Sequence, residues 1–336
     1  MTEKPRALLV YAPAVNRDLV TGALRERLER ACELLVDDPI SGFDDPRAAA
    51  VLDRVEILVT GWGCPSLDEP ALDRMPLLRA AFHAAGTVKN HVTPACFERG
   101  VRITSAAQAN AIPVAEFTVA AILLANKRAF RIQRRYRELR GFRLWSAEFP
   151  DAGNHGKVVG LVGASRIGRM VIERLRVFGF EILVHDPFLG EAEARELGVE
   201  SCPLDDLLRR SDVVSLHAPS LPETRHMIDR RALSLVRDGG VLVNTSRGAL
   251  VDQDALTEEL LSGRIDAVLD TTEPEVLPAD SPLYDLENVF LTPHIAGSQG
   301  SETARMFASA LDELERFVAG KPLRHEVRLD ELSHIA

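Results

Sequence analysis

The chain has 336 residues, which at about 100–200 residues per domain suggests two domains. Hydrophobic residues make up 46% and charged residues 27%, so a sizeable core can form and the composition speaks against disorder. Fifty acidic against forty basic residues leave a formal charge of −10, which with no long Lys/Arg block speaks against nucleic-acid and anionic-membrane partners.

The four cysteines are too few for a disulfide scaffold, and without a CxxC pair no metal site is expected. The N-terminus, MTEKPRALLVYAP, reads as a first strand and not as a signal peptide. The longest apolar stretch, 112–125, contains Glu116 and falls short of the ~20 residues of a spanning helix. A soluble, cytoplasmic protein is the expectation.

Short β-branched apolar runs alternate with amphipathic patterns along the chain, the signature of an α/β protein with parallel sheets covered by helices. The first series predicts strands at 7–11, 56–60 and 77–81, a helix near 18–32, and a long helix opened by Pro113 in its first turn. The polar, Arg-rich segment 131–156 separates it from a second series and is the natural candidate for a connection. The second series predicts strands at 157–163, 181–186, 212–218, 241–246, 265–270 and 287–292. Helices at 252–262, closed by Gly263, and at 301–319, stopped by Gly320 and Pro322, complete it.

Three strand ends carry the chemistry. The first is Gly160-Leu161-Val162-Gly163-Ala164-Ser165-Arg166-Ile167-Gly168, between a buried strand and a helix, with Asp186 at the end of the next strand. In a dinucleotide-binding βαβ unit such glycines allow the tight turn and the close approach of pyrophosphate, helix and strand. The helix N-terminus supplies N–H groups to the phosphates. Ser165 stands at the middle glycine position, small enough to fit and able to donate to a phosphate. A plain strand–turn–helix corner would use glycines too, but not the acidic residue at the next strand end. The order Ser165, Asp270, His294 also suits an α/β-hydrolase, yet G-x-S-x-G fails because the last glycine falls at 168.

The other two are Asn244-Thr245-Ser246-Arg247-Gly248 and the pair of segments 270–275 (DTTEPE) and 292–298 (TPHIAGS). Alone, Arg247 would be a surface arginine beside a turn and His294 a structural histidine. Arg, Glu and His at three successive strand ends of one sheet can instead converge where open α/β sheets bind ligands.

These segments, with VSLHAPSLPETRHMI at 214–228, HAAGTVKN at 83–90 and ANAIPVAEFT at 109–118, resemble the D-isomer-specific 2-hydroxyacid dehydrogenases over nearly the whole chain. The resemblance implies a flavodoxin-like substrate domain, 1–112 completed by 300–336, and a Rossmann-like NAD-binding domain, 113–299. It implies a homodimer built on the helix after Pro113. It also implies a substrate carboxylate held by Arg247, a proton donor in His294 and its carboxylate partner in Glu275. NAD would lie against Gly163, Ser165, Arg166, Ile167, Gly168, Asp186, Pro219, Thr224, Thr245, Ser246 and Asp270. The backbone of Ala85, Gly86 and Thr87 would hold the carboxylate from the other domain, with a hinge closing over it.

The expected reaction is hydride transfer between NAD(H) and C2 of a 2-oxo or 2-hydroxy acid, with His294 moving the proton. The expected substrate is unphosphorylated and larger than glyoxylate. Gly61 and Trp62 stand where phosphoglycerate dehydrogenases carry basic and hydroxyl residues, and the chain ends soon after its last helix, without room for a regulatory domain. A Trp offers an apolar face to a substrate tail, although core packing is the competing role for Trp62. An NAD-sensing interaction protein resembling transcriptional corepressors is the alternative. Formate oxidation is disfavoured because those relatives carry Gln at the position of Glu275.

Overall fold

The computed structural model describes residues 4–13, 20 and 22–332. The chain divides into two compact units, Met1–Ala111 with Ser298–Ala336, and Ile112–Gly297.

In the first unit, β1 (Arg6–Val10), β2 (Glu33–Leu34), β3 (Ile57–Thr60), β4 (Ala80–His83) and β5 (Arg102–Ser105) pair in parallel in the order β2-β1-β3-β4-β5. This is the flavodoxin-like order. The second unit holds β6 (Val158–Val162), β7 (Glu181–His185), β8 (Glu200–Ser201), β9 (Val213–Leu216), β10 (Val241–Asn244), β11 (Asp266–Leu269) and β12 (Val289–Leu291). They pair in parallel as β8-β7-β6-β9-β10-β11-β12, the Rossmann order with one strand added. The order reverses between β6 and β9, and ligands bind such sheets at the carboxyl ends of strands beside that point. A last strand, β13 (Glu326–Val327), returns antiparallel to β5.

Both faces of each sheet are buried, which is why the strands read as continuous apolar runs. Successive residues alternate between faces. In the second unit Leu242 and Leu269 pack with Leu207, Ile228 and Leu256, while Val243 and Val268 pack with Ile122, Val171 and Leu175 on the other side. In the first unit the helix Thr303–Val318 sends Phe307, Leu311 and Leu314 onto Leu9, Val59 and Phe82.

Several expectations change. The helix containing Pro113 begins at Ala107, where the Ser105 hydroxyl accepts the Ala107 N–H, so the proline lies inside it. At 20 residues this helix is long and apolar enough to cross a membrane by length and composition, but half of it is buried in the protein. Ala115, Val119 and Ile122 make it a core helix of the second unit. The segment 77–81 does not start a strand: Leu78 closes a turn on Met75, and β4 begins at Ala80. The helix near 18–32 is seen as Gly22–Ala31; its expected opening at 18 lies outside the described residues. The Arg-rich segment is no connection. Arg128 and Arg131 pair with Asp266, and Arg131 and Arg135 with Glu287, so it is laid along the second unit's sheet by ion pairs.

Three buried histidines make the fold acid-sensitive. Burial pushes His91 down to about 4 and His217 to about 3, and holds His83 well below the usual imidazole range, aided by neighbouring His91. The unfolded chain takes up these protons as pH falls through about 6.5 while the fold does not, so stability falls with pH from there. The slope is at most about 1.4 kcal/mol per pH unit for each histidine. The urea midpoint should therefore be lower at pH 5 than at pH 7. Because His91 Nε2 has no hydrogen-bond partner among the described residues, His91→Phe should shrink that drop, and an unchanged drop would show that His91 does not contribute.

Candidate active site

The glycine corner is built by close approach. Gly163 follows β6 with φ +104°, and a Cβ there would lie 2.6 Å from the Ala218 nitrogen. A Cβ on Gly168 would lie 2.2 Å from the Gly163 carbonyl oxygen. Both positions exclude any side chain. Ser165 caps the helix Arg166–Leu175, its hydroxyl accepting from the Gly168 N–H at 3.4 Å. An accepting hydroxyl retains its own proton, and the first-turn amides of such a helix lack intrahelical partners. Arg166 is exposed and Ile167 half-buried at this N-terminus. Asp186, just past β7, accepts from Ala164 N–H at 2.7 Å and Phe188 N–H at 2.8 Å. Its charge is thereby fixed beside the glycine loop. On the next strand end, the Thr224 hydroxyl donates to the Pro219 carbonyl and accepts from Leu221 N–H, folding the 219–224 turn on itself. A backbone cradle that tolerates no Cβ, a helix N-terminus and a fixed carboxylate suit a dinucleotide.

Beyond β10, buried Asn244 shapes the arginine loop. Its side chain accepts from Ser246 N–H at 3.0 Å and donates to the Arg247 carbonyl at 2.9 Å. The Ser246 hydroxyl donates to the Ala218 carbonyl, and the Thr245 hydroxyl pairs with that of Thr118 at 2.7 Å. Arg247 is half-buried and makes one side-chain hydrogen bond among the described residues, Nη1 to the Ser246 carbonyl at 2.8 Å. Burial lowers its pKa and nearby Glu275 opposes the shift; an arginine stays charged under such a shift, with donors to spare. Gly248 lets this loop touch the next one, because a Cβ there would lie 2.1 Å from the Thr272 carbonyl carbon.

Asp270, directly after β11, is 2% exposed. Its carboxylate accepts from the Thr292 hydroxyl at 2.6 Å, Ile295 N–H at 2.8 Å and Ala296 N–H at 2.9 Å, and its carbonyl accepts from His294 N–H at 2.9 Å. One side chain thus holds the whole loop that presents His294. His294 sits at φ +55°, a left-handed conformation uncommon outside glycine. Its Nδ1 is hydrogen-bonded to Glu275 Oε1, which leaves the Nε2 side of an exposed ring for a reacting group. Glu273, two residues earlier, is engaged instead by Arg225 at 2.8 Å and His226 at 3.2 Å. The structure therefore brings Arg247, Glu275 and His294 onto adjacent strand ends, with Asp270 committed to the histidine loop.

Ala85, Gly86, Thr87 and Trp62 belong to the first unit. Ala85 is buried and its carbonyl accepts from Ala106 N–H at 3.1 Å. The Ser105 hydroxyl donates to the Gly86 carbonyl, and the Thr87 hydroxyl accepts from Lys89 N–H. Asn110 packs against Gly86 and accepts from Ser298 N–H. Trp62 is half-buried, resting on Ala106, Ala109 and Met306. Sequence reasoning missed Asn244, Thr118 and the Glu273 contacts. Of these only Asn244 left a signal, as the first residue of the arginine motif.

The family model for the D-isomer-specific 2-hydroxyacid dehydrogenase NAD-binding domain matches residues 119–296. The chain belongs to this family, and NAD is the cofactor of its second unit. It is 36% identical over 257 residues to the glyoxylate reductase of Korarchaeum cryptofilum, covering 76% of this chain and 77% of that one. It is 32% identical over 295 residues to the D-3-phosphoglycerate dehydrogenase of Mycobacterium leprae, covering 87% of this chain. The chain spans about half, 54%, of that mycobacterial enzyme's length. The crystal structure of D-lactate dehydrogenase from Aquifex aeolicus complexed with NAD and lactic acid aligns with a TM-score of 0.72 and 27% identity, over 94% of this chain and 96% of that one.

Proposed function

We propose that the protein is an NAD-dependent oxidoreductase that interconverts an unphosphorylated 2-oxo acid and its 2-hydroxy acid. The observation that carries this reading is the Glu275–His294 hydrogen bond on a loop pinned by Asp270, beside a half-buried Arg247 that makes a single side-chain hydrogen bond among the described residues. NAD(H), when bound, supplies or accepts the hydride. In the reductive direction the His294 imidazolium donates the Nε2 proton to the carbonyl oxygen; in reverse the neutral ring accepts it. Glu275 accepts from Nδ1–H and so orients the ring. Arg247 binds the substrate carboxylate as a planar fork and stabilises the alkoxide as it develops. The backbone of Ala85, Gly86 and Thr87 is the proposed second carboxylate holder. The apolar setting of Trp62 against Ala106, Ala109 and Met306 supports an aliphatic or aromatic substrate tail.

The test is turnover of glyoxylate, phenylpyruvate and 3-phosphohydroxypyruvate with NADH. The reading expects kcat/KM to be highest for phenylpyruvate; a preference for the phosphorylated acid would overturn the substrate class, and no turnover of any 2-oxo acid would overturn the activity. Arg247→Ala should lower kcat/KM about 10²-fold, the size of a lost charge-assisted pair, with KM for the acid raised. An unchanged KM would remove Arg247 from carboxylate binding.

NAD should be preferred over NADP by about tenfold or more in kcat/KM, because the Asp186 carboxylate accepts ribose hydroxyls and repels a 2′-phosphate. Comparable values for the two cofactors would refute this. A cytoplasmic homodimer completes the proposal. Tyr136, Leu139, Phe142 and Leu144 form an exposed apolar run, with Phe142 96% exposed, of the kind that marks a subunit contact. A monomeric mass by analytical ultracentrifugation would exclude the dimer.

A further inference from the structure

The loop after β9 reaches across two other strand ends. His226 sits at φ +52°, its N–H donates to the Ala249 carbonyl at 2.8 Å, and Ile228 N–H donates to the Leu250 carbonyl at 3.0 Å. This loop is therefore stitched to the chain just past Arg247. Through its side chains the same loop grips the turn after β11: Arg225 Nη1 donates to Glu273 at 2.8 Å, and His226 Nε2 lies 3.2 Å from the other carboxylate oxygen. Within that turn the Thr272 hydroxyl donates to the Pro274 carbonyl at 2.7 Å and lies 3.1 Å from that of Glu275, while Glu273 N–H reaches Gln253 Oε1 at 3.3 Å. Glu273 and Glu275 thus share one short, internally bonded turn, each holding a histidine in the left-handed region.

We propose that Glu273 is a positioning residue: gripped by Arg225 and His226, it fixes the turn so that Glu275 meets His294 at a set distance from Arg247. The contact is part-exposed, with side-chain exposures of 53%, 39% and 35% for Arg225, His226 and Glu273. An ion pair so open to water contributes little to stability. Its consequence is geometric. Small displacements of a catalytic pair are costly in rate even when the fold is untouched.

The proposal rests on His294 being the proton donor, and two readouts separate the claims. In Glu273→Ala, kcat for 2-oxo acid reduction should fall about tenfold, with KM for NADH within about twofold and the melting temperature nearly unchanged. Arg225→Ala should give much of the same loss, and the double variant should be no worse than the worse single, as expected for one shared contact. Glu273→Gln, which preserves shape, guards against a folding defect and should fall between wild type and Glu273→Ala. In single-turnover experiments with NADH bound, the chemical step itself should slow by about the same factor in Glu273→Ala. If kcat and the single-turnover rate are both unchanged in Glu273→Ala while His294→Ala is inactive, the positioning role is wrong and the proton-donor reading stands. If His294→Ala retains full turnover, that reading falls, and an unchanged single-turnover rate in Glu273→Ala would overturn the positioning role independently of it.

Discussion

His294→Ala is expected to lower turnover about 10²–10⁴-fold, the range for loss of a positioned acid–base group, while NADH still binds with nearly its original affinity. The division follows from where the contacts lie. The proposed dinucleotide corner is made by Gly163, Ser165, Gly168 and Asp186, whose hydrogen bonds and close approaches among the described residues are made to Ala164, Phe188, His217 and Ala218 and to one another. The backbone of residue 294 is held through its own N–H, which an alanine keeps. The left-handed φ of +55° does add strain for alanine, of order 1–3 kcal/mol, so His294→Gly serves as the unstrained control. Fluorescence titration with NADH and single-turnover rates check the separation. Near-normal turnover in both variants would remove the proton-transfer mechanism. Glu275→Gln is the milder counterpart. With the ring less firmly oriented, 2-oxo acid reduction should slow by less than in His294→Ala, with NADH affinity again nearly unchanged.

Asp270→Ala is expected to damage both fold and activity. The substitution strands the Thr292 hydroxyl and the amides of Ile295 and Ala296, all of which end on a carboxylate that is 2% exposed. Each buried donor left unpaired costs about 1–3 kcal/mol, so a loss of about 3–5 kcal/mol is expected once the loop relaxes toward water. Activity should fall further than the folded fraction does, because the relaxing loop carries His294. Asp270→Asn keeps the shape but turns an NH₂ group toward donors, and should recover only part of the loss. Urea unfolding alongside kcat at saturating substrate distinguishes the two effects. A variant that is stable yet inactive would assign Asp270 to the chemistry, whereas one that is stable and active would show that the loop needs no anchor.

The glycine corner was legible because each residue there answers a local demand. Gly163 and Gly168 exclude a Cβ, Ser165 is a helix cap, and Asp186 ends a strand. Arg247 and His294 were legible as polar residues at the ends of buried parallel strands, where side chains must leave the core. The division of labour between Glu273 and Glu275 was not. Two carboxylates within one turn look alike in sequence, and what separates them is that Arg225 and His226 come from a distant loop. The anchoring by Asp270 was hidden for the same reason, since two of its three donors are backbone amides that any residue could supply. Pro113 misled because proline suits a helical first turn, while the real start was set by the Ser105 hydroxyl six residues before the expected one. The Arg-rich segment resembled a linker because ion pairing to Asp266 and Glu287 leaves no periodic trace.

The division of the chain at 111 and again at 297 has a consequence for biosynthesis. The second unit is one unbroken stretch, complete as soon as its last strand has emerged. The first unit is not: the sheet formed by β1, β3 and β4 is half-covered until Phe307, Leu311 and Leu314 arrive on the helix Thr303–Val318. During translation these early strands are therefore among the last to close their core, with Leu9, Val59 and Phe82 covered only in part, by Leu28 of the helix Gly22–Ala31, while more than two hundred residues separate Phe82 from Phe307. Such exposed apolar surface is what chaperones bind and what aggregates, so the early part of this chain, already synthesised but not yet able to fold, is its vulnerable part.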